Sequence, residues 1–599
     1  MTTIAPPPPP TGDEREQMFP VSRDPPAPKL FELGLVLGGT VSAGAYTAGA
    51  LDCLLEMLEN WYDTNPEHQV VVRLAAGASG GAICAGMLGL LSRKKVPHIT
   101  GTFTDLIASD APTGNPFWDV WVNLVDGKQF LTSTDIGDGP LLSVLNAALI
   151  DQIATDLANF AQVSGNFARP YFPAPFRLAV TLANLRGIPY MLDVPGFERW
   201  SGGSYVAHDD VARFAVANGI DPNTPLLDGG KRLDEFWVDP AIAGRDSDYV
   251  DYRTLVSYAV ASAAFPAGLE ARLLERPARH YAYRPYVRPE SSGAAVELPQ
   301  PDWQIILADG DTYQFASVDG GTFNNDPVSL VHQALAGMAG ENPRAPEKAC
   351  RALFMIDPLA AKPREAKAPA TDLFSVIGTL VGAVTEGARY LTADMALIAD
   401  PDVFSRYQLV PARRDLAKLG SAALATDWLD AFGGFFCRDF RVHDFLLGRL
   451  NLRNYLRTTM ILRGDNPLFD GWSAANRSRW AVDADGNRVA VTPAAAPSSY
   501  FLPIIPDTAY DGTGPIAVEP DAGSLPWPWK ALDPADLRDP VRTRVDALLT
   551  KLRKQALPGF GGWLLGGVLA PRLASTIADR VIDMFRDGLA DQGLWPKQS

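Results

Sequence analysis

Val70-Val71-Val72-Arg73-Leu74-Ala75, then Gly77-Ala78-Ser79-Gly80-Gly81, then Ile83 to Leu91: these three pieces follow one another almost without interruption. The first reads as a strand and the third as a small-residue helical run. The piece between them is a G-x-S-x-G. A strand-to-helix turn this tight has no room for side chains flanking its apex, so glycine brackets the serine. The turn lifts the hydroxyl to the carboxyl end of a sheet, beside the positive end of the next helix. The pentapeptide is short enough to arise by chance, so its weight comes from this placement. Packing of a helix on a Gly/Ser-rich turn is the competing reading.

Working outward, Leu33 to Leu37 is a short apolar strand of the kind buried on both faces of a parallel sheet. Gly38-Gly39-Thr40-Val41-Ser42-Ala43-Gly44 follows it directly. Ala45 to Trp61 then reads as a helix with Tyr46, Ala50, Cys53, Leu54, Met57, Leu58 and Trp61 on one face, broken at Asn65-Pro66. Strand, helix, strand, helix is the pattern of an α/β sheet. Further on, Arg177 to Leu182 and Tyr190 to Val194 read as strands around an Arg186-Gly187 turn. Leu255 to Ala264 reads as a helix stopped near Pro266. Phe315 to Val318 is a short strand. Asp326-Pro327 opens a helix through Leu335, with the aspartate as cap. Arg351 to Ile356 is a buried strand, and the α/β domain is expected to run from 29 to about 362.

Residues 363–599 differ in character. Asp372 to Ala396 and Phe436 to Met460 read as helices, and the last 55 residues read as helical again. Ala481 to Thr492 carries a hairpin signal at Asp485-Gly486. Residues 493–540 are proline-rich and loop-like. Residues 1–28, with Pro6 to Pro10, read as an unstructured tail. The tail shows no basic stretch followed by an apolar one, so no secretory signal is expected.

Composition excludes several classes. A net charge of −16 over 599 residues repels phosphate backbones, so no nucleic-acid partner is expected. Cys53, Cys84, Cys350 and Cys437 are too scattered for a metal knuckle or a redox pair, so neither metal nor cofactor is expected. So few thiols favour a reducing, cytoplasmic setting. The uncharged run Leu74 to Ser92 is long enough for a membrane span, but its glycines and turn signature argue against one. Nothing in the sequence sets an oligomeric state.

Two further motifs carry chemistry. The glycine-rich turn from Gly38 to Gly44 can leave backbone N–H groups converging on phosphate or on the oxyanion of a tetrahedral intermediate. It lacks the Gly-Lys-Ser/Thr of a phosphate loop and the spacing of a dinucleotide fingerprint. Beside an elbow serine, the oxyanion role of Gly39, Thr40 and Val41 is the stronger expectation. Asp319-Gly320-Gly321 follows a strand and can set a carboxylate next to a serine on a neighbouring strand. Asp228-Gly229-Gly230 sits in loop-like sequence and is set aside as a surface turn.

Taken together, residues 30 to about 360 resemble the patatin-like phospholipases. The likeness rests on Gly34 to Gly39 and Gly44 to Leu51, on the Gly77 to Gly81 elbow, on Ser262-Ala263-Ala264-Phe265-Pro266, and on Val318 to Gly321 with Asn324-Asn325. All occur in family order. The resemblance implies a three-layer α/β/α sandwich with a mostly parallel sheet, here followed by a largely helical extension. It implies a Ser79–Asp319 dyad that cleaves lipid acyl esters. One departure is clear. The family loop reads G-G-G-x-R-G, where this chain has Gly39-Thr40-Val41-Ser42-Ala43-Gly44; two glycines and the arginine are replaced. A lipid-binding scaffold without catalysis therefore stands as the second expectation.

His332 and His443 follow Asp319 and so satisfy the chain order of an ordinary serine–acid–histidine hydrolase. Both lie in helical sequence and read as packed residues. A lipid substrate implies contact with a membrane surface. The uncharged stretch with Phe560, Trp563, Leu564 and Leu565, bordered by basic residues, is the expected peripheral seat. Leu373 to Val384 is a second.

Overall fold

The computed structural model describes residues 6–8, 28–162, 167, 169–192, 203–219, 232–284, 286–290, 293–337, 341–360, 400–492, 494–518, 523–556 and 560–597. Twelve strands and eight longer helices matter for the site. The strands are β1 (Leu30–Leu37), β2 (Gln69–Gly77), β3 (Phe176–Leu192), β4 (Gly203–Val216), β5 (Glu235–Val238), β6 (Tyr249–Val250), β7 (Arg272–Pro277), β8 (Tyr286–Glu290), β9 (Gly293–Glu297), β10 (Thr312–Asp319), β11 (Arg351–Ile356) and β12 (Arg406–Leu409). The helices are α1 (Gly44–Asp63), α2 (Gly80–Leu91), α3 (Ala148–Gln162), α4 (Tyr252–Ser262), α5 (Val328–Ala336), α6 (Arg438–Thr458), α7 (Arg538–Ala556) and α8 (Phe560–Gln592).

Ten strands form one sheet in the order β12-β11-β1-β2-β3-β4-β5-β6, with β10 joining β3 and β7. Neighbours from β12 to β3 are parallel, whereas β10 runs antiparallel to β3. The two-residue period sends Leu35 and Leu37 to one face and Val36 to the other. The first face packs against α1, α2 and α4, and the second against Val328, Val331 and Leu335 of α5. A mostly parallel sheet with helices on both faces is the α/β/α arrangement expected.

Two local readings need correction. Residues 177–182 and 190–192 are not two strands around a turn but parts of the single strand β3, and 193–194 lie outside the described residues. Ala183 faces Asp209 and Ile188 faces Ala207, so the residues between them bulge out of the ladder. Gly187, at φ 77, supplies the left-handed step there. Asp326 does not cap α5 with its side chain; Pro327 occupies the cap position. The carboxylate turns instead toward Gly38, where a β-carbon would lie 2.2 Å from its Oδ1.

Nor does the α/β layer stop near 362. β12 pairs in parallel with β11 and extends the sheet. Helix α6 lies on α1, so α1 is buried on nearly every side rather than on one face. The approach is close enough that a β-carbon at Gly49 would sit 2.0 Å from the Phe445 carbonyl oxygen. One at Gly448 would sit 2.2 Å from that of Tyr46. Phe445, Leu452, Trp472, Trp480 and Ile504 belong to the same apolar core as β1. The hairpin signal at Asp485-Gly486 is a tight turn closed by a Val482–Arg488 bridge. The expected helix 372–396, with Leu373 to Val384, and the Asp228 turn lie outside the described residues. So does nearly all of the tail. No helix among the described residues is long and apolar enough to cross a membrane.

The α1–α6 crossing gives a direct check. Gly448→Val should lower unfolding stability by about 1–3 kcal/mol, because the added methyls have only backbone to displace; urea unfolding followed by tryptophan fluorescence measures it.

Candidate active site

The sheet brings Ser79 and Asp319 together by opposing two strand ends. β4 occupies one flank of β3. On the other flank β2 runs parallel and ends with Gly77 opposite Val180. β10 arrives from the opposite direction and ends with Asp319 opposite Leu182. Only the fully buried Thr181 separates the two ends. Two residues past Gly77, Ser79 Oγ donates to Asp319 Oδ2 at 2.7 Å.

The elbow is strained as its sequence requires. Ser79 has φ 52 and ψ −129, a conformation that side chains avoid unless the surroundings impose it. Several contacts do so. Ala78 N–H donates to the Leu37 carbonyl at 3.1 Å, and Ser79 N–H donates to Ser262 Oγ at 2.9 Å. Gly81 passes so near β1 that a β-carbon would lie 2.2 Å from the Leu37 carbonyl oxygen. That close approach is what demands glycine two residues after the serine.

Asp319 is held from both sides. Its N–H donates to the Ala264 carbonyl at 2.8 Å, and its Oδ1 accepts the Gly321 N–H at 2.8 Å. Both dyad side chains are 8% exposed. Burial pushes the Asp319 carboxyl up to about 6, against the opposing pull of the Ser79 hydroxyl and the Gly321 amide. A carboxylate next to serine near neutral pH is thus ionised but basic enough to accept a proton.

The amides of the glycine loop differ in their engagement. Gly39 N–H is already engaged, donating to the Asn325 carbonyl at 3.1 Å. That removes Gly39 from the expected oxyanion donors. Thr40 N–H and Val41 N–H have no partner among the described residues. Thr40 is buried, and a β-carbon on Gly80 would lie 2.1 Å from its Oγ1, which sets Thr40 against the residue after Ser79. Val41 sits at φ 48.

No histidine hydrogen-bonds Ser79 or Asp319 among the described residues. His443 is fully buried on α6, paired with Asp444 at 2.7 Å and with Arg413 at 2.6 Å. His332 is half-buried on α5. His68, His98, His208 and His280 bond Ile504, Asp52, Asn184 and Asp248. Phe560, Trp563, Leu564 and Leu565 open α8, but their side chains lie outside the described set. No metal-binding cluster occurs among the described residues. Sequence reading missed Ser262 as the partner of the Ser79 amide and Asn325 as that of Gly39. Ser262 had one signal, its place in the S-x-x-x-P block.

The patatin-like phospholipase family model matches residues 35–332, the stretch that holds both halves of this pair. Residues 35–332 form a patatin-like phospholipase domain. A protein of Sinorhizobium fredii (strain NBRC 101917 / NGR234), described as the uncharacterized protein y4iI, is 29% identical over 518 residues. The alignment covers 80% of this chain and 70% of that one. It is longer than the patatin-like domain, so the likeness extends into the flanking sequence.

The raised Asp319 carboxyl has a consequence for stability. Its folded value lies above the unfolded one, so the native state binds the proton more tightly. Stability from this group is present at low pH and is lost as pH rises from about 4 through about 6. Asp319→Asn should therefore stabilise the fold at pH 8, by on the order of 2–3 kcal/mol, and the gain should vanish near pH 4. Thermal melts of both proteins across that range measure it.

Proposed function

We propose that this chain is a lipid acyl hydrolase of the phospholipase A, lysophospholipase or lipase type, with Ser79 as nucleophile and Asp319 as its base. The 2.7 Å hydrogen bond between them carries the reading. In the first step the Ser79 hydroxyl proton passes to Asp319 Oδ2 as Oγ attacks the ester carbonyl. Thr40 and Val41 N–H groups receive the oxyanion, each such donor being worth about 3 kcal/mol. The intermediate collapses to an acyl-serine, and Asp319 returns the proton to the departing alcohol. Water then gives a proton to Asp319, attacks the acyl carbonyl and releases the fatty acid. Ser79 regains its hydrogen.

Substrate chemistry is supported by the apolar rim of the dyad. Phe265 follows the Ala264 whose carbonyl holds Asp319 and is 43% exposed; Phe323 lies four residues past Asp319 and is 44% exposed. Exposed aromatic rings beside a buried polar pair suit an acyl chain, and a membrane surface is the proposed place of encounter. The engaged Gly39 amide and the left-handed Val41 favour a second reading, a lipid-binding scaffold whose loop no longer catalyses. A fluorophosphonate probe separates the two: the enzyme labels, and labelling disappears in Ser79→Ala.

With a soluble ester, Ser79→Ala and Asp319→Asn should each cut kcat by at least about 10³-fold, whereas His332→Ala should leave it within about twofold. In wild type, kcat/KM should rise with pH as a single proton is lost near pH 6, the Asp319 value, and then stay level. A histidine variant that abolishes turnover would overturn the dyad.

A further inference from the structure

The glycine loop departs furthest from the family pattern, and an element from outside the patatin-like domain holds it. Val41 is β-branched and sits at φ 48, a backbone state such a side chain resists. Its neighbour Ser42 reaches across to the C-terminal region. Ser42 N–H donates to the Ala431 carbonyl at 3.1 Å, and the Ser42 hydroxyl donates to the same oxygen. Ala431 ends a run of three left-handed residues, none of them glycine: Leu429, Asp430 and Ala431, with φ of 54, 49 and 66. Each such step is unfavourable, so the run persists only where its surroundings over-determine it.

Those surroundings are continuous with the C-terminal helices. Phe432 N–H returns to the Leu429 carbonyl at 2.9 Å and Gly433 N–H to that of Trp428 at 3.0 Å. A β-carbon on Gly433 would lie 2.1 Å from the Trp428 indole, and one on Gly434 would lie 2.5 Å from Ser42 Oγ. Trp428 meets Phe585 of α8 edge-on at 5.5 Å. A packed line therefore runs from α8 through Trp428 and the strained turn to Ser42, next to the two unpartnered amides.

We propose that the Leu429–Ala431 turn is a strut that holds Thr40 and Val41 in oxyanion-binding geometry, so that seating of the C-terminal helices controls the competence of the site. The proposal rests on the Ser79–Asp319 reading above. Ser42 touches no reacting atom; it is a positioning residue. Two bonds on one carbonyl fix both its backbone and its side chain. With the hydroxyl gone, a single N–H bond opposes the relaxation of Val41 out of the left-handed region.

The full chain is assayed on p-nitrophenyl butyrate as wild type, Ser42→Ala, Phe585→Leu, Ser79→Ala and Ser92→Ala. Ser92 is a control. It is also buried, its hydroxyl donates to the Gly89 carbonyl at 2.8 Å, and it stands at the far end of α2. Ser42→Ala should lose about tenfold or more in kcat with KM within about twofold. It should lose the same factor in affinity for an alkyl trifluoromethyl ketone, which becomes a tetrahedral oxyanion on Ser79. Phe585→Leu should show a smaller loss of the same kind, and it carries the test if Ser42→Ala does not fold. Ser92→Ala should turn over like wild type. Full kcat in Ser42→Ala, or a loss confined to KM, overturns the strut; full kcat in Phe585→Leu overturns its link to α8. Wild-type turnover that survives Ser79→Ala would instead remove the underlying reading, so the two failures are distinct.

Discussion

Two strands that approach each other head-on along one flank of β3, and stop on either side of Thr181, set the rest of this structure. A purely parallel sheet could not do this, since all its strand ends of one kind lie along one edge. Reversing β10 brings the carboxyl end of one strand against the carboxyl end of another, with a single residue of β3 between them. The hydroxyl and the carboxylate then meet without any flexible arm to position. The same enclosure keeps water from the carboxylate and raises its proton affinity, which is the property the proposed chemistry uses.

Support for this junction comes from far along the chain. Asn325 secures the glycine loop through Gly39, Ala264 secures Asp319, and Ser262 secures the elbow amide. Ala431 secures Ser42 from the region beyond the patatin-like domain. Five of the eleven non-glycine residues with positive φ among the described residues sit at the same places: Val41, Ser79 and the 429–431 turn. Strain at a site and rigid packing around it go together, because only over-determined surroundings can hold such conformations.

Much of this was legible because it is local. The apolar strands β1 and β11, the glycine-bracketed serine and the Asp-Gly-Gly turn are signals contained within a few residues. Errors arose where a distant partner decided the outcome. Arg186-Gly187 has the composition of a turn, yet β4 runs past it and makes it a bulge. Asp326 has the position of a helix cap, yet its side chain faces Gly38. The amide of Gly39 reads as free in any local window and is engaged only because Asn325 lies beside it. No local pattern announces Ala431 at all. The periodicity of α1 shows one apolar face, and only the presence of α6 explains why the opposite face is buried as well.

The stretch that families share and the body that folds are different things here. Residues 35–332 carry both members of the dyad, but β11 lies beyond them and pairs with β1 in the interior of the sheet, while β12 covers the outer side of β11. A fragment cut at the family boundary would leave β1 with an open row of amides and carbonyls, and α1 with a bare apolar flank. Such edges recruit other chains. During synthesis, the patatin-like half therefore has no closed surface to present until its own second half has joined it.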